Sequence, residues 1–194
     1  MPEVDAPQGS HQSGVRNLGL AMRELQDRVT ATSAPDDVAN AAANAIQEIC
    51  ATLEPHRYIA ARDKGWSDTQ RGAGSKTLNP VFRNVELNGN VFQATIRFTT
   101  FHLGANGAAH GGAIPMVFDE ALGKLANYDQ SICRTAYLKV DYRNVTPLDV
   151  ELQVRAHIEK IDGRKRFLQA AIYNDGVLTA EATALFIELK EGAA

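Results

Sequence analysis

Cysteine is scarce in this 194-residue chain. Cys50 and Cys133 stand alone, with no CxxC pair and no histidine at metal-ligand spacing. This excludes a disulfide framework and a zinc site of the usual kind, and leaves two free thiols expected in the core. Long apolar runs are missing as well: no stretch reaches the roughly 18 residues that a membrane-spanning helix needs. Positive charge is in short supply. The net charge is −3, and the basic residues are scattered apart from "GRKR" at 163–166, which argues against nucleic acid as a partner. The opening "MPEVDAPQGSHQSG" has neither the basic start nor the apolar core of a secretory signal, so the cytoplasm is the expected compartment. Internal repeats and low-complexity tracts are absent.

What is present is an ordinary globular composition, 44% hydrophobic and 22% charged, on a length sufficient for one full core plus an appended subdomain. Residues 1–14 read as a flexible lead-in rich in Pro, Gly, Ser and Gln. Leu18, Met22, Leu25 and Val29 then recur at helical spacing, as do Val38, Ala42, Ile46, Ile49 and Leu53 after the "TSAPDD" break. Two amphipathic packing helices are expected. Thr32 or Ser33 is placed to cap the second, with Pro35 and two aspartates in its first turn, where a missing N–H and negative charge are tolerated. Residues 54–80 show no period and hold Gly65, Gly72, Gly74 and Pro80. So long a connection reads either as a lid or subunit-wrapping arm, or as a surface tether. Residues 1–80 are therefore an N-terminal helical extension with a long loop.

From Val81 the period changes from 3.6 to two. Phe92, Ala94, Ile96 and Phe98 alternate with polar residues, just after an Asn-Gly turn signal in "ELNGNV". Ala136, Leu138, Val140 and Tyr142 alternate likewise, and so do Val150, Leu152, Val154, Ala156 and Ile158. Turns in "IDGR" and "YNDGV" then divide off "RFLQAAIY" and "LTAEATALFIEL". The order is strand, helix, then four strands. It gives an α+β domain over 81–194 whose antiparallel sheet lays one face on a single long helix.

That helix opens within "NGAAHGGAIPMVFDEALGKL", residues 106–125. A start between Gly111 and Ala113 leaves its first N–H groups without intrahelical partners, aimed out of a terminus where the dipole favours negative charge. Glycines there admit a ligand close to the backbone, and a carbonyl oxygen gaining charge under nucleophilic attack benefits most from such donors. Asp119 follows Gly112 by seven residues and returns to nearly the same face. Buried among apolar neighbours it would have a raised pKa and serve as general base or as nucleophile. Seven residues also place it roughly 10 Å along the axis from the glycines, too far for both to serve one carbonyl in one chain. Two antiparallel copies of the helix about a twofold axis would complete the site, so dimerisation is expected on functional grounds. Glu120 is either the exposed member of the acidic pair or a partner for Lys124 at i+4, and stands as a second-choice base. The bland alternatives are a packing glycine pair and a solvated acidic face.

The motifs "GAAHGGAIPMVFDEALG", "RTAYLKVDYRNVTPL", "IDGRKRF" and "TAEATALFIEL", in this order over residues 80–190, resemble the hotdog-fold acyl-CoA thioesterases of the phenylacetate-pathway and thioesterase-superfamily type. The resemblance implies an antiparallel sheet wrapped around a central helix, a homodimer that associates further into a dimer of dimers, and hydrolysis of an acyl-CoA to free acid and CoA without metal or separate cofactor. By position it implies that His110, Gly111 and Gly112 form the motif whose glycine N–H polarises the thioester carbonyl, with His110 orienting the loop. It makes Asp119 the catalytic carboxylate and Thr135 the hydroxyl that positions water or carboxylate. Arg164 and Lys165 become candidates for the CoA phosphates, a solvated hairpin tip being the alternative. Some relatives carry an asparagine six residues before the histidine; here that position is Gly104, and Asn106 lies nearer the motif as a possible substitute. His102 invites comparison with hotdog dehydratases, which pair a histidine with a helix carboxylate, although its separation from Glu120 is long for that motif. A hotdog hydratase or dehydratase, and a non-catalytic acyl-CoA-binding protein, are the competing readings.

Overall fold

The computed structural model describes residues 8–56, 77–128 and 132–190, and the chain divides into two compact units, Met1–Thr77 and Leu78–Ala194. The first unit holds α1 (Gln8–Ala31) and α2 (Asp36–Leu53), followed by a 3₁₀ turn at Glu54–His56. Helix α1 begins inside the stretch that composition assigns to a flexible lead-in. Helix α2 starts one residue after Pro35, which is its N-cap and carries no side-chain cap bond. Thr32 instead accepts the Ala34 N–H through Oγ1 at 3.2 Å, tightening the turn ahead of the helix rather than capping it. The helical spacing is as expected but the burial is not: Leu18, Met22 and Val29 on α1, and Val38, Ile49 and Leu53 on α2, are exposed. Cys50 is exposed as well, against the expectation of two core thiols, whereas Cys133 is buried. Most of the long loop, residues 57–76, lies outside the described residues.

The second unit contains β1 (Arg83–Asn88), β2 (Val91–Ile96), α3 (Ala113–Ala126), β3 (Cys133–Tyr142), β4 (Leu152–Asp162), β5 (Lys165–Asn174) and β6 (Val177–Glu188). These six strands form one antiparallel sheet in the order β1-β2-β4-β5-β6-β3. A second strand thus precedes the helix where alternation shows one. Strand β1 is almost wholly exposed, so no apolar face marks it, and only the Asn-Gly signal betrays its hairpin. The expected turns are present. Asp162 pairs with Lys165 across Gly163–Arg164, and Asn174 with Val177 across Asp175–Gly176, where φ of +46° and +82° suits a two-residue hairpin turn. Val150, expected to open β4, lies before that strand and is exposed.

Helix α3 buries Ile114, Val117, Phe118, Ala121, Leu122 and Leu125 against β2 through β6. The facing sheet residues mix large and small: Phe92, Ile96, Leu152, Val154, Leu168, Ile172 and Phe186 fill the core, while β6 contributes the consecutive inward alanines Ala180, Ala182 and Ala184. Small residues let helix and sheet backbones approach; burial of each large side chain stabilises by roughly 1.5–3 kcal/mol. Among the described residues no helix is long and apolar enough to cross a membrane.

The far end of α3 is closed by side chains from three places. Asn127 Nδ2 donates to Gly123 O at 2.6 Å and its Oδ1 accepts from Cys133 N at 2.7 Å. Arg166, buried on β5, donates to the Ala126 carbonyl and pairs with Glu188 at 3.7 Å. The Gly123 and Ala126 carbonyls are therefore satisfied, and a cation sits at the negative end of the helix dipole. Burial pushes the Cys133 thiol up from its ordinary range, with Arg166 pulling the other way. Replacing Arg166 with Met keeps the bulk but removes the donor, and is expected to lower stability by about 2 kcal/mol, read as a shift in the urea midpoint at constant m value.

Candidate active site

The loop entering α3 is tied down before the glycines are reached. Thr99 closes a capping box with His102: its N–H donates to His102 Nδ1 at 3.1 Å. The buried His102 ring stands edge-on to Phe98 and Phe101, with centroids at 5.5 and 5.3 Å. This is a core histidine, so the comparison with dehydratases gains no support. Its carbonyl accepts the His110 N–H at 2.7 Å, and Ala109 N–H reaches Thr146 O at 2.9 Å. His110 is thereby delivered to the helix start at a fixed height.

Helix α3 begins at Ala113 with Gly112 as N-cap, inside the expected range, and Pro115 falls in the first turn where its missing N–H costs nothing. Ala113 N–H donates back to His110 O at 2.8 Å. The peptide that follows His110 is trans, so its N–H, that of Gly111, points the opposite way, out of the helix N-terminus. Gly111 N–H has no partner among the described residues. Gly112 N–H, by contrast, donates to His110 Nδ1 at 2.9 Å. Of the two glycine donors expected to act together, only that of Gly111 is open, because the histidine ring folds back over its own motif. With Nδ1 accepting, the neutral ring carries its proton on Nε2.

Two turns along, Asp119 Oδ1 accepts the Thr135 hydroxyl at 2.8 Å. The expected burial of Asp119 is not met: the residue is exposed, because it faces the outermost strand, β3. Glu120 is the more enclosed of the two acids and pairs with Lys124 at 2.9 Å, as the i+4 spacing suggests.

A bulge in β3 makes these contacts possible. Thr135 pairs with Phe186 but Tyr137 with Leu185, leaving Ala136 extra. Side chains alternate along a strand, so without the bulge Thr135 and Tyr142, seven apart, would face opposite sides. With it, both reach α3. Thr135 meets Asp119, and the Tyr142 hydroxyl donates to Gly111 O at 2.6 Å. Tyr142 is the site residue that sequence reasoning did not single out; its place in an alternating strand made it look like core, and the bulge that redirects Thr135 leaves no mark in the pattern.

The remaining candidates are scattered. Asn106 is exposed in a 3₁₀ turn at φ +56°. Gly104 stands where the resemblance implies an asparagine in some relatives, and a Cβ there would meet His110 Cα at 2.7 Å. Arg164 donates to Glu188 O at 2.9 Å and Lys165 is exposed beside it, both next to the Arg166 that caps the C-terminal end of α3. They lie roughly 20 Å of helix away from the glycines of their own chain. Among the described residues no three His, Cys, Asp or Glu side chains converge on a metal position.

No family model matches the sequence. A solved thioesterase superfamily protein is similar over 96% of this chain and 97% of its own, with a TM-score of 0.74 at 22% identity. The second unit has the hotdog fold. A second hotdog neighbour, a hypothetical thioesterase protein from Streptococcus pneumoniae solved with coenzyme A, has a TM-score of 0.52 at 18% identity and covers 54% of this chain and 86% of that one. That protein has also been solved with alanine replacing an aspartate and, sixteen residues further on, a threonine. In sequence, 88 residues are 42% identical to acyl-coenzyme A thioesterase THEM4 of Xenopus laevis, over 44% of this chain. The match spans 40% of that relative's length.

The hotdog domain leaves no room for the absent asparagine. Gly104→Asn, and equally Gly104→Ala, is expected to destabilise by about 1–3 kcal/mol, because the added Cβ meets backbone. A thermal melt of both variants checks this, and an asparagine variant of unchanged stability would contradict it.

Proposed function

We propose that the protein is an acyl-CoA thioesterase that works as an antiparallel homodimer. The observation that carries this reading is the division of its polar groups on α3 between an open Gly111 N–H at the N-terminus and a Thr135-held Asp119 roughly 12 Å further along. One chain offers two halves of a site. A twofold-related copy brings the carboxylate of one α3 to the glycine of the other. Strand β3 supports the pairing, since it ends the sheet with one side unpaired among the described residues. Further association into a dimer of dimers belongs to the same proposal.

In this reading Asp119 draws a proton from water as the water oxygen attacks the thioester carbon, or attacks that carbon itself to form a mixed anhydride that water then opens. Electron density moves to the carbonyl oxygen, where Gly111 N–H and the helix terminus receive it. The C–S bond then breaks, and the CoA thiolate leaves without needing a strong acid. The antiparallel arrangement also brings the Arg164–Lys165 turn of the second copy, which sits at the C-terminal end of its helix, toward the glycine end and the CoA phosphates. Neither metal nor separate cofactor enters. Two unpaired thiols fit a cytoplasmic setting. The sequence identity to an acyl-coenzyme A thioesterase, and the aspartate and threonine replaced in the Streptococcus pneumoniae protein at the spacing of Asp119 and Thr135, support the assignment.

Thiol release from a panel of acyl-CoAs tests the reading. Asp119→Asn is expected to lose roughly 10²- to 10⁴-fold in kcat, and Thr135→Val roughly ten- to hundredfold. Undiminished turnover in Asp119→Asn would remove the base; hydration of an enoyl-CoA without thiol release would identify a hydratase, and tight binding of CoA esters without either reaction a binding protein. Light scattering is expected to show no active monomer.

A further inference from the structure

We infer that Tyr142 is a positioning residue of this site, holding the Gly111–Gly112 peptide so that the helix N-terminus presents a donor, and no acceptor, to the thioester oxygen. The inference rests on the thioesterase reading above. The peptide is held from both ends: its carbonyl accepts the Tyr142 hydroxyl at 2.6 Å, and its N–H donates to His110 Nδ1 at 2.9 Å. Two consecutive glycines need such a hold. Lacking Cβ atoms, they let a peptide plane rotate at little steric cost, and a rotated plane would swing the Gly111 oxygen away from Tyr142 and toward the helix mouth. An exposed carbonyl oxygen there would oppose the charge that develops in the transition state.

Solvation does not require the tyrosine contact. Tyr142 is 54% exposed and Gly111 is exposed as well, yet the phenol is directed at this one backbone carbonyl. Packing does not require the hydroxyl either. A Cβ built on Gly111 would stand 3.7 Å from the Tyr142 hydroxyl oxygen and 3.9 Å from ring carbon Cζ, so the space beside the glycine would admit no more than a methyl group, and phenylalanine would occupy the same position as the tyrosine ring. The hydroxyl is the part with a specific task. Strand β3 places it: the bulge at Ala136 that turns Thr135 to Asp119 also sets Tyr142 on the helix side. One irregularity in one strand therefore orients the carboxylate of one half-site and, in the other, the peptide next to the one that carries the glycine donor. Tyr142 touches no reacting atom in this scheme, and acts through Gly111.

Tyr142→Phe in the full chain isolates the hydroxyl. With the best acyl-CoA of the panel, kcat is expected to fall about tenfold, with KM changed by less than about twofold and the thermal midpoint moved by no more than about 2 °C. In NMR spectra the Gly112 amide and the His110 ring nitrogens are expected to shift, since the plane that joins them loses one of its two anchors. Unchanged kcat, or a loss that appears only in KM or in the melting midpoint, would overturn the positioning role. If the wild-type protein released no thiol from any acyl-CoA, the thioesterase reading would fail by itself; the hold on the peptide would then stand or fall on the NMR shifts, and unmoved Gly112 and His110 resonances in Tyr142→Phe would overturn it.

Discussion

Helix α3 has to keep one face dry along its whole length while offering its N-terminus and Asp119 to solvent, and the sheet that buries it reconciles these demands. Ile114, Val117, Phe118, Ala121, Leu122 and Leu125 occupy the dry face. The alanines of β6 allow the helix to lie close, and Arg166 with Asn127 closes the far end. With the helix pinned over four turns, its two polar features cannot approach one another. The roughly 12 Å between them is a property of helical rise, and burial makes it permanent. A site divided in this way follows from packing before any chemistry is considered.

Strand β3 is the second determinant, since it runs beside α3 in the opposite direction and touches it at intervals. Cys133 lies against Ala126, Thr135 against Asp119 and Tyr142 against Gly111. An uninterrupted strand would present Thr135 and Tyr142 on opposite faces. The Ala136 bulge removes that parity conflict, at the outermost position in the sheet where an irregular ladder disturbs one neighbour only. Edge position and bulge thus belong together.

The loop ahead of the glycines shows how conformational freedom is confined to where it is used. His102 spends its ring on a cap and its carbonyl on His110, and Gly104 admits the His110 backbone where any side chain would collide. His110 then turns its own ring back on Gly112. The glycine at this position has a steric basis: the loop is drawn in so tightly that a side chain is excluded.

The sequence by itself determined the α+β class, the long helix and its start within a few residues, the strands β2 to β6, and the spacing of Gly112 and Asp119 that divides the site. Each of these is set by neighbours near in the chain, through a period of 3.6 or two, a turn residue or the rise of a helix, and such signals survive in one dimension. Tertiary structure alone decided that Asp119 is exposed, that Gly112 is occupied by His110 while Gly111 is open, that β1 joins the sheet without an apolar face, and that Tyr142 reaches Gly111. These depend on which strand lies at the edge and on one extra residue in its ladder, and a bulge changes the facing of every later side chain while leaving the alternation on either side intact.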